Sequence, residues 1–236
     1  MNQTKFHSNC EGCSTRLNSI FSNLNKEEMI RFSLYKTCLN YQPRQMIFSE
    51  GGYPKGLFII SSGKIKISKI SDEGKEQIVR LAKEGDIIGY RALLSDEKYS
   101  CSAIAINEIS LCFIPKSAFL EVMAGNGELA LKMMTLLAGD LKKAENKIMH
   151  LSHKSVRERM AEVLLVLKET YGCEKNNSTI NINFTRTEIG TLAGITRETA
   201  TRILYEFSDA GMLELNGNKI AIINQKELLK TANIFD

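Results

Sequence analysis

The residues whose types and spacing are best suited to chemistry lie in the run TRETATR, at positions 196–202. This run places two arginines and a glutamate within about one and a half helical turns, behind a threonine that is a typical helix N-cap. Arginine can donate two hydrogen bonds to guanine O6 and N7, and glutamate can accept one from the cytosine amino group. The candidate base-reading set is Thr196, Arg197, Glu198, Thr199, Thr201 and Arg202.

Three consecutive elements around this run predict a winged helix-turn-helix. A short helix, TEIGTLAG, precedes a turn at Gly194, and a second helix, TRETATRILYEFSDAG, ends near Gly211. Two alternating segments then flank Asn216-Gly217, a pair typical of a two-residue hairpin. Because the second helix of this motif enters the major groove of DNA, its first turns are expected to meet base edges.

Two considerations limit this interpretation. Glu198 and Arg202 are four residues apart, so a solvent-exposed ion pair or a brace between them is an alternative to base reading. Residues 155–236 also carry nearly equal numbers of acidic and basic side chains. Attraction to phosphate must therefore come from a local patch that includes Arg186, Arg197 and Arg202.

The segment between Pro43 and Pro115 predicts a compact antiparallel β-roll. Its short apolar runs, such as LFII and KIKISKI, are β-branched or alternate with a period of two, and glycines recur between them. The fold class is therefore α+β, with an N-terminal jelly-roll-like β-roll, a long helix and a C-terminal winged helix-turn-helix. The expected domains are 1–125, 126–154 and 155–236.

The long helix carries a narrow apolar stripe with the spacing of a coiled-coil seam. Its members step by three and four residues, which favours a partner helix and hence a homodimer. The alternative is an ordinary amphipathic helix that lies on its own β-roll. The predicted seam is Met134, Leu137, Leu141, Ala144, Ile148 and Leu151.

Composition indicates a folded protein of the cytoplasm. With 43% hydrophobic and 25% charged residues, the 236-residue chain is close to globular averages, and no apolar stretch reaches the length of a membrane span or a signal peptide. The six cysteines are expected to be thiols or metal ligands rather than disulfides. Cys38 is expected on a helix as a small hydrophobic residue. No catalytic triad or phosphate-binding loop appears, so an enzyme is not expected.

Nearly the whole chain resembles the cyclic-AMP receptor and fumarate-nitrate-reduction (CRP/FNR) family of bacterial transcription regulators. The resemblance is carried by FTRTEIGTLAGITRETATRILYEFSDAGML, and by GLFIISSGKIKI and GDIIGYRALL in the β-roll. It implies that Glu198 and Arg202 read bases, joined by Arg197 as in the cyclic-AMP receptor branch. Thr201 stands where the oxygen-sensing branch has serine. The implied phosphate contacts are Thr185, Arg186, Thr187, Thr196 and Thr199. Contact with RNA polymerase is implied as well.

The resemblance also locates an effector pocket in the β-roll, at Gly89, Tyr90, Arg91, Cys101 and Ser102. Family members that bind cyclic nucleotides use a glutamate for the ribose and an arginine for the cyclic phosphate, at the places held here by Tyr90 and Cys101. We therefore expect no cation in the pocket to offset the phosphate, and the sequence disfavours cyclic AMP.

A second implied effector is an iron-sulfur cluster, held by cysteine thiolates. Cys10, Cys13 and Cys112 match three of the family's four ligand positions, whereas the remaining position is Ser19. Cys38, Cys101 or an acidic residue would have to complete the site. The effector stays open between a cluster, another metal, thiol redox chemistry and an unidentified ligand.

The prediction is a homodimeric transcription regulator that binds a pseudo-palindromic operator in double-stranded DNA. Two rivals remain, each with its own discriminating property. A nucleotide-binding module that acts on protein partners would bind nucleotide without DNA, and an iron-sulfur redox protein would transfer electrons without DNA.

Overall fold

The computed structural model describes residues 13–17 and 19–233, which divide into two compact units. The first unit holds the described residues up to Gly74 together with Val79–Lys142, and the second holds Lys75–Ile78 and the described residues from Lys143 onward. The predicted order of β-roll, long helix and winged helix-turn-helix is confirmed. Within the described part of the chain, no helix is long and apolar enough to cross a membrane.

The β-roll consists of two four-stranded sheets. The strands are β1 (Thr37–Tyr41), β2 (Met46–Phe48), β3 (Gly56–Ser62), β4 (Lys64–Ile70), β5 (Glu76–Lys83), β6 (Ile87–Ile88), β7 (Ser102–Ala105) and β8 (Ile109–Pro115). One sheet has the order β1-β8-β3-β6 and the other β2-β7-β4-β5. Ile65 and Ile67 are buried on β4 while lysines alternate with them, as the period-two pattern predicts. Gly56 is required because a Cβ there would collide with the carbonyl oxygen of Ile114 on β8.

Among the described residues, five helices belong wholly or partly to the first unit. They are α1 (Ser14–Leu17), α2 (Lys26–Tyr35), α3 (Tyr90–Ser95), α4 (Lys116–Gly125) and α5 (Gly127–His153), of which α5 continues into the second unit. An aromatic cluster packs these helices against the sheet, with the rings of Phe21 and Phe32 edge to face at 5.3 Å between centroids and Phe119 beside them. The expectation that Cys38 lies on a helix is wrong, because it is a residue of β1.

The second unit is built on three helices and a hairpin, followed by a last short helix. Its elements are α6 (Val156–Tyr171), α7 (Arg186–Ala193), α8 (Arg197–Asp209), β9 (Leu213–Asn216), β10 (Lys219–Ile222) and α9 (Gln225–Thr231). Because Asn216 pairs with Lys219, the hairpin loop is Gly217-Asn218, one residue later than the predicted Asn216-Gly217. Gly217 has a φ of 57°, a left-handed conformation that favours glycine.

Candidate DNA-binding surface and sensor pocket

The helix-turn-helix is fixed by hydrogen bonds between residues close in sequence. Thr185 begins α7 with a capping box in which Thr185 and Glu188 satisfy each other's backbone N–H groups. Thr196 begins α8, and its Oγ1 accepts a hydrogen bond from the backbone N–H of Thr199 at 3.2 Å. Between them, Gly194 has a φ of 65°, and a Cβ on Gly190 would stand 2.9 Å from the carbonyl oxygen of Ile195. The turn is therefore tight enough to require glycine at two positions.

Helix α8 separates a buried face from an exposed one. Ala200, Ile203, Leu204 and Phe207 are buried, while Arg197, Glu198 and Arg202 are exposed at the start of the helix. Thr201 is half-buried, and its hydroxyl donates to the carbonyl oxygen of Arg197 at 2.8 Å. The apolar face fixes the helix, so the exposed side chains of its first turns project from a rigid support.

The alternative brace between Glu198 and Arg202 is absent from the structure. Arg202 Nη1 donates instead to Oε1 of Glu206, one turn further along. Arg157 Nη1 donates to the other oxygen of Glu206 at 2.8 Å, and its guanidinium lies over the ring of Phe207 at 4.8 Å. Among residues 13–17 and 19–233, the carboxylate of Glu198 has no side-chain partner, so it is available to a ligand.

Arg186, expected at phosphate, lies against the wing. Its Nη2 donates to the carbonyl oxygen of Gly217 at 2.8 Å, while its Nη1 is buried without a hydrogen-bond partner in the described structure. Desolvation by burial lowers the pKa of this guanidinium. The side chain thus ties α7 to the β9–β10 hairpin. Thr187 next to it is exposed.

The expected effector pocket is a small cavity in the β-roll. Gly89, Tyr90, Arg91 and Cys101 line a volume of about 30 Å³, which is room for about two water molecules. Ser102 does not line it, because this side chain is buried and accepts a hydrogen bond from the backbone N–H of Glu50 at 3.0 Å.

The expectation that this pocket lacks a cation is wrong. Two arginines line the cavity, and Arg91 Nη2 lies 3.8 Å from the Sγ of Cys101. The second, Arg80, donates from Nη1 to Tyr90 Oη at 3.1 Å and to Asp140 Oδ2 at 3.2 Å. Of the two arginines, only Arg91 has no carboxylate partner in the part of the chain that the structure describes.

Tyr90 is a structural link rather than a pocket ligand. Its ring is 1% exposed, and its hydroxyl donates to Oδ2 of Asp140 on α5. Burial raises the pKa of Tyr90 to about 12, although the charge of Arg80 opposes the shift. The three side chains form a largely buried polar network that joins α3, β5 and α5 within the first unit.

Three thiols gather near the outer face of the first sheet. Cys112 of β8 lines a cavity together with Cys13 and directly opposes Cys38 of β1. Ser19, the residue at the fourth family position, donates its hydroxyl to the carbonyl oxygen of Arg16 and accepts from the backbone N–H of Phe21. Cys10 lies outside the described residues.

The described residues alone do not make up an iron-sulfur site. No three histidine, cysteine or acidic side chains are grouped to hold a metal ion in the portion of the chain that the structure describes. The hydroxyl at the fourth family position is also committed to the backbone. The described thiols by themselves therefore do not form a four-thiolate cluster.

The predicted seam of α5 is largely open to solvent. Met134, Leu141 and Ile148 are 58%, 61% and 64% exposed, whereas Leu137 packs partly against the core of the first unit. Leu151 and Ala144 are also exposed. A row of exposed apolar side chains along one helix is unusual for a surface that remains uncovered.

Comparisons with known proteins agree with this geometry. A cyclic nucleotide-binding domain model matches residues 38–126, and a Crp-like helix-turn-helix model matches residues 158–231. The fumarate and nitrate reduction regulatory protein of Escherichia coli strain K12 is 30% identical over 94% of this chain and 90% of its own length. The anaerobic regulatory protein of Aggregatibacter actinomycetemcomitans is 29% identical over 94% and 86%.

Two solved structures show the same fold. FixK2 from Bradyrhizobium japonicum superposes with a TM-score of 0.76 at 24% identity, covering 85% of this chain and 99% of that one. A CRP/FNR-family transcriptional regulator from Thermus thermophilus gives 0.71 at 22% identity, covering 84% and 98%. Fold and surface together define a DNA-binding transcription regulator with a β-roll of the cyclic nucleotide-binding type. The chain belongs to the CRP/FNR family.

Sequence reasoning missed three residues of these sites. Arg80 and Asp140 lie 10 and 50 residues from Tyr90, and no local pattern connects them. Glu206 is detectable in principle, because it stands four residues after Arg202 on the same helix. The signal for Asp140 is weaker, namely a carboxylate close to the apolar stripe of a long helix.

Proposed function

We propose that the chain binds a pseudo-palindromic DNA operator as a homodimer and reads it with α8. The carrying observation is that Arg197, Glu198 and Arg202 are exposed together at the capped start of a helix whose opposite face is buried. In this proposal the three side chains read base edges with Thr201. The proposed phosphate contacts are Thr185, Arg186, Thr187, Thr196 and Thr199.

The exposed seam of α5 supports the homodimer. Met134, Leu141 and Ile148 would be covered by the same residues of a second copy, as an isologous helix pair requires. The two copies of α8 would then enter major grooves about one helical turn of DNA, ~34 Å, apart. The protein would act in the cytoplasm by binding rather than by catalysis, with RNA polymerase as a further partner.

In this proposal the β-roll binds the effector and thereby controls DNA binding. An effector bound near Arg91 and Cys101 would bias an equilibrium between dimer arrangements, because the adjacent Tyr90 bonds directly to Asp140 of α5. Cyclic AMP is disfavoured because Tyr90 and Cys101 occupy the places where relatives that bind cyclic nucleotides have a glutamate and an arginine.

The proposal is tested by fluorescence anisotropy with a duplex selected from a random pool. Replacing Arg197, Glu198 and Arg202 by alanine should weaken binding to the selected duplex by at least about 100-fold, since each good base contact contributes ~1–3 kcal/mol. Lys226→Ala, an exposed charge on α9, is the matched control and should bind like the wild type. Unchanged selectivity of the triple variant, with the fold intact by circular dichroism, would refute the proposal.

A further inference from the structure

The two cysteines Cys38 and Cys112 face each other across a strand pair. Strands β1 and β8 are antiparallel, and these residues are direct partners in the register. Directly opposed residues of an antiparallel pair project from the same face of the sheet. Two positions along, Ser110 donates its hydroxyl to the Oδ1 of Asn40 at 2.7 Å. Side chains that oppose each other on this face of the β1–β8 pair are therefore close enough to contact each other.

The spacing of such a pair suits a disulfide. Opposed Cα atoms in antiparallel sheets are about 4.5–5.5 Å apart, and disulfides bridge Cα separations of about 4.4–6.8 Å. Both residues are thiols in this structure and both are half-buried, so a small oxidant can reach them. The neighbouring residues Leu39 and Leu111 point to the opposite face, into the interior of the roll. The thiols therefore lie outside the core between the two sheets, while Cys112 packs partly against the core on the helix side of the first sheet.

We propose that Cys38 and Cys112 form a redox-active dithiol that a hydroperoxide oxidises to an intramolecular disulfide. In the first step one thiol releases its proton, the thiolate sulfur attacks a peroxide oxygen and the O–O bond breaks. A sulfenic acid forms, and the leaving hydroxide takes up the released proton to give water. In the second step the other thiol attacks the sulfenic sulfur, and the S–S bond forms as a second water leaves. Overall, two thiols lose two hydrogens, and one hydrogen peroxide becomes two waters.

The surroundings of the two thiols support the second step. Burial raises the pKa of the Cys112 thiol, while the hydroxyl of Ser61, 3.3 Å away, opposes that rise. The strand register places the two cysteines side by side, so whichever thiol is oxidised first, the other can resolve the sulfenic acid. This chemistry is independent of whether α8 reads DNA.

Cys13 is the competing partner, since it lines the same cavity as Cys112. The two pairings differ in how the thiols are held. Cys38 and Cys112 are fixed by a strand register, whereas Cys13 immediately precedes the four-residue helix α1. A disulfide forms fastest between thiols that need no rearrangement, which favours Cys38.

The test uses the full chain, reduced, treated with a small molar excess of hydrogen peroxide and then alkylated. Peptide mapping should find the segment TCLNYQPR linked to the segment that contains Cys112, with two thiols lost per chain and restored by dithiothreitol. Trypsin leaves Cys101 and Cys112 on one peptide, so a second cleavage after Glu108 separates them. Metal content is measured on the same sample before oxidation.

Two variants sharpen the result. Cys38→Ser should lose the linkage entirely, whereas Cys173→Ser, a half-buried cysteine of the second unit, should oxidise like the wild type. A linkage between Cys13 and Cys112, persistence of two-thiol loss in Cys38→Ser, or iron bound in the purified protein and released by Cys112→Ser would each overturn the proposal. So would the absence of any disulfide in the wild type.

Discussion

The candidate DNA-binding surface and the candidate effector pocket of the β-roll differ in the sequence separation of the residues that form them. The start of α8 is set by bonds between near neighbours, such as Thr196 with Thr199 and Arg202 with Glu206. The pocket in the β-roll is set by bonds between distant residues, of which Tyr90 with Asp140 is the clearest. A surface made from one segment can be recognised from local sequence, whereas a pocket assembled from several segments requires the fold.

The largest expected effect on stability follows from removing the carboxylate of Asp140, which bonds to Arg80 and Tyr90. Asp140→Ala leaves the largely buried guanidinium of Arg80 and the hydroxyl of Tyr90 without their acceptor, so the free energy of unfolding should fall by about 2–4 kcal/mol. Urea titration followed by circular dichroism measures this change. Glu145→Ala removes an exposed charge from the same helix and should change stability by less than about 0.5 kcal/mol. Equal effects of the two variants would mean that the network contributes no stability.

Tyr90→Phe tests the same network through pH. The pKa of Tyr90 is raised to about 12 in the folded state, against an ordinary value of 10.0, so the unfolded chain loses this proton first. Stability should therefore decline as pH rises from about 10 to 12, because the folded state binds more protons in that interval. The variant should show a shallower decline, while losing about 1 kcal/mol at neutral pH. Parallel pH curves for the two proteins would contradict this assignment.

Removing the N-cap hydrogen bond of α8 should lower stability by a smaller amount. Thr196→Ala removes the N-cap of α8 and should cost about 1 kcal/mol. Thr196→Ser keeps the hydroxyl and should restore most of that loss, as measured by the same urea titration. A loss that serine fails to recover would show that the threonine methyl group, rather than the cap, is responsible.

The smallest expected effect concerns the ion pair found in place of the predicted brace. Glu206→Gln removes the charge that pairs with both Arg202 and Arg157, and each exposed ion pair contributes only ~0.3–0.5 kcal/mol, so the free energy of unfolding should fall by about 1 kcal/mol or less. Release of the guanidinium should strengthen binding to DNA by about twofold at low salt, and anisotropy titration measures it. Weaker binding would indicate that Glu206 holds Arg202 in its binding position.

These contrasts explain what the sequence can and cannot reveal. Period-two alternation, helix caps and turn glycines are local, and they suffice for the β-roll and for the position of α8. The hairpin loop lies one residue later than predicted because Asn216 pairs with Lys219 across the turn. The segment around Cys38 lacks a clear period of its own, and only pairing with β8 makes it a strand.

The effector pocket depends even more on contacts that local sequence patterns do not predict. Arg91, which the sequence places in the pocket, is joined there by Arg80 from another strand, which the sequence does not predict. A comparison of matched family positions detects a side chain that has been replaced at one of those positions. It does not detect a side chain that a different strand contributes to the pocket. The network through Asp140 depends on a helix 50 residues away, and no spacing rule connects the two segments.

The central claim is that α8 reads bases with Arg197, Glu198 and Arg202. The most direct measurement compares the wild type and Arg202→Ala on a library of duplexes that vary every position of the selected operator. The account predicts that the variant loses discrimination at one base pair in each half-site, by ~1–3 kcal/mol, and keeps its preference elsewhere. An unchanged preference at every position, or a uniform weakening across all sequences, would contradict it.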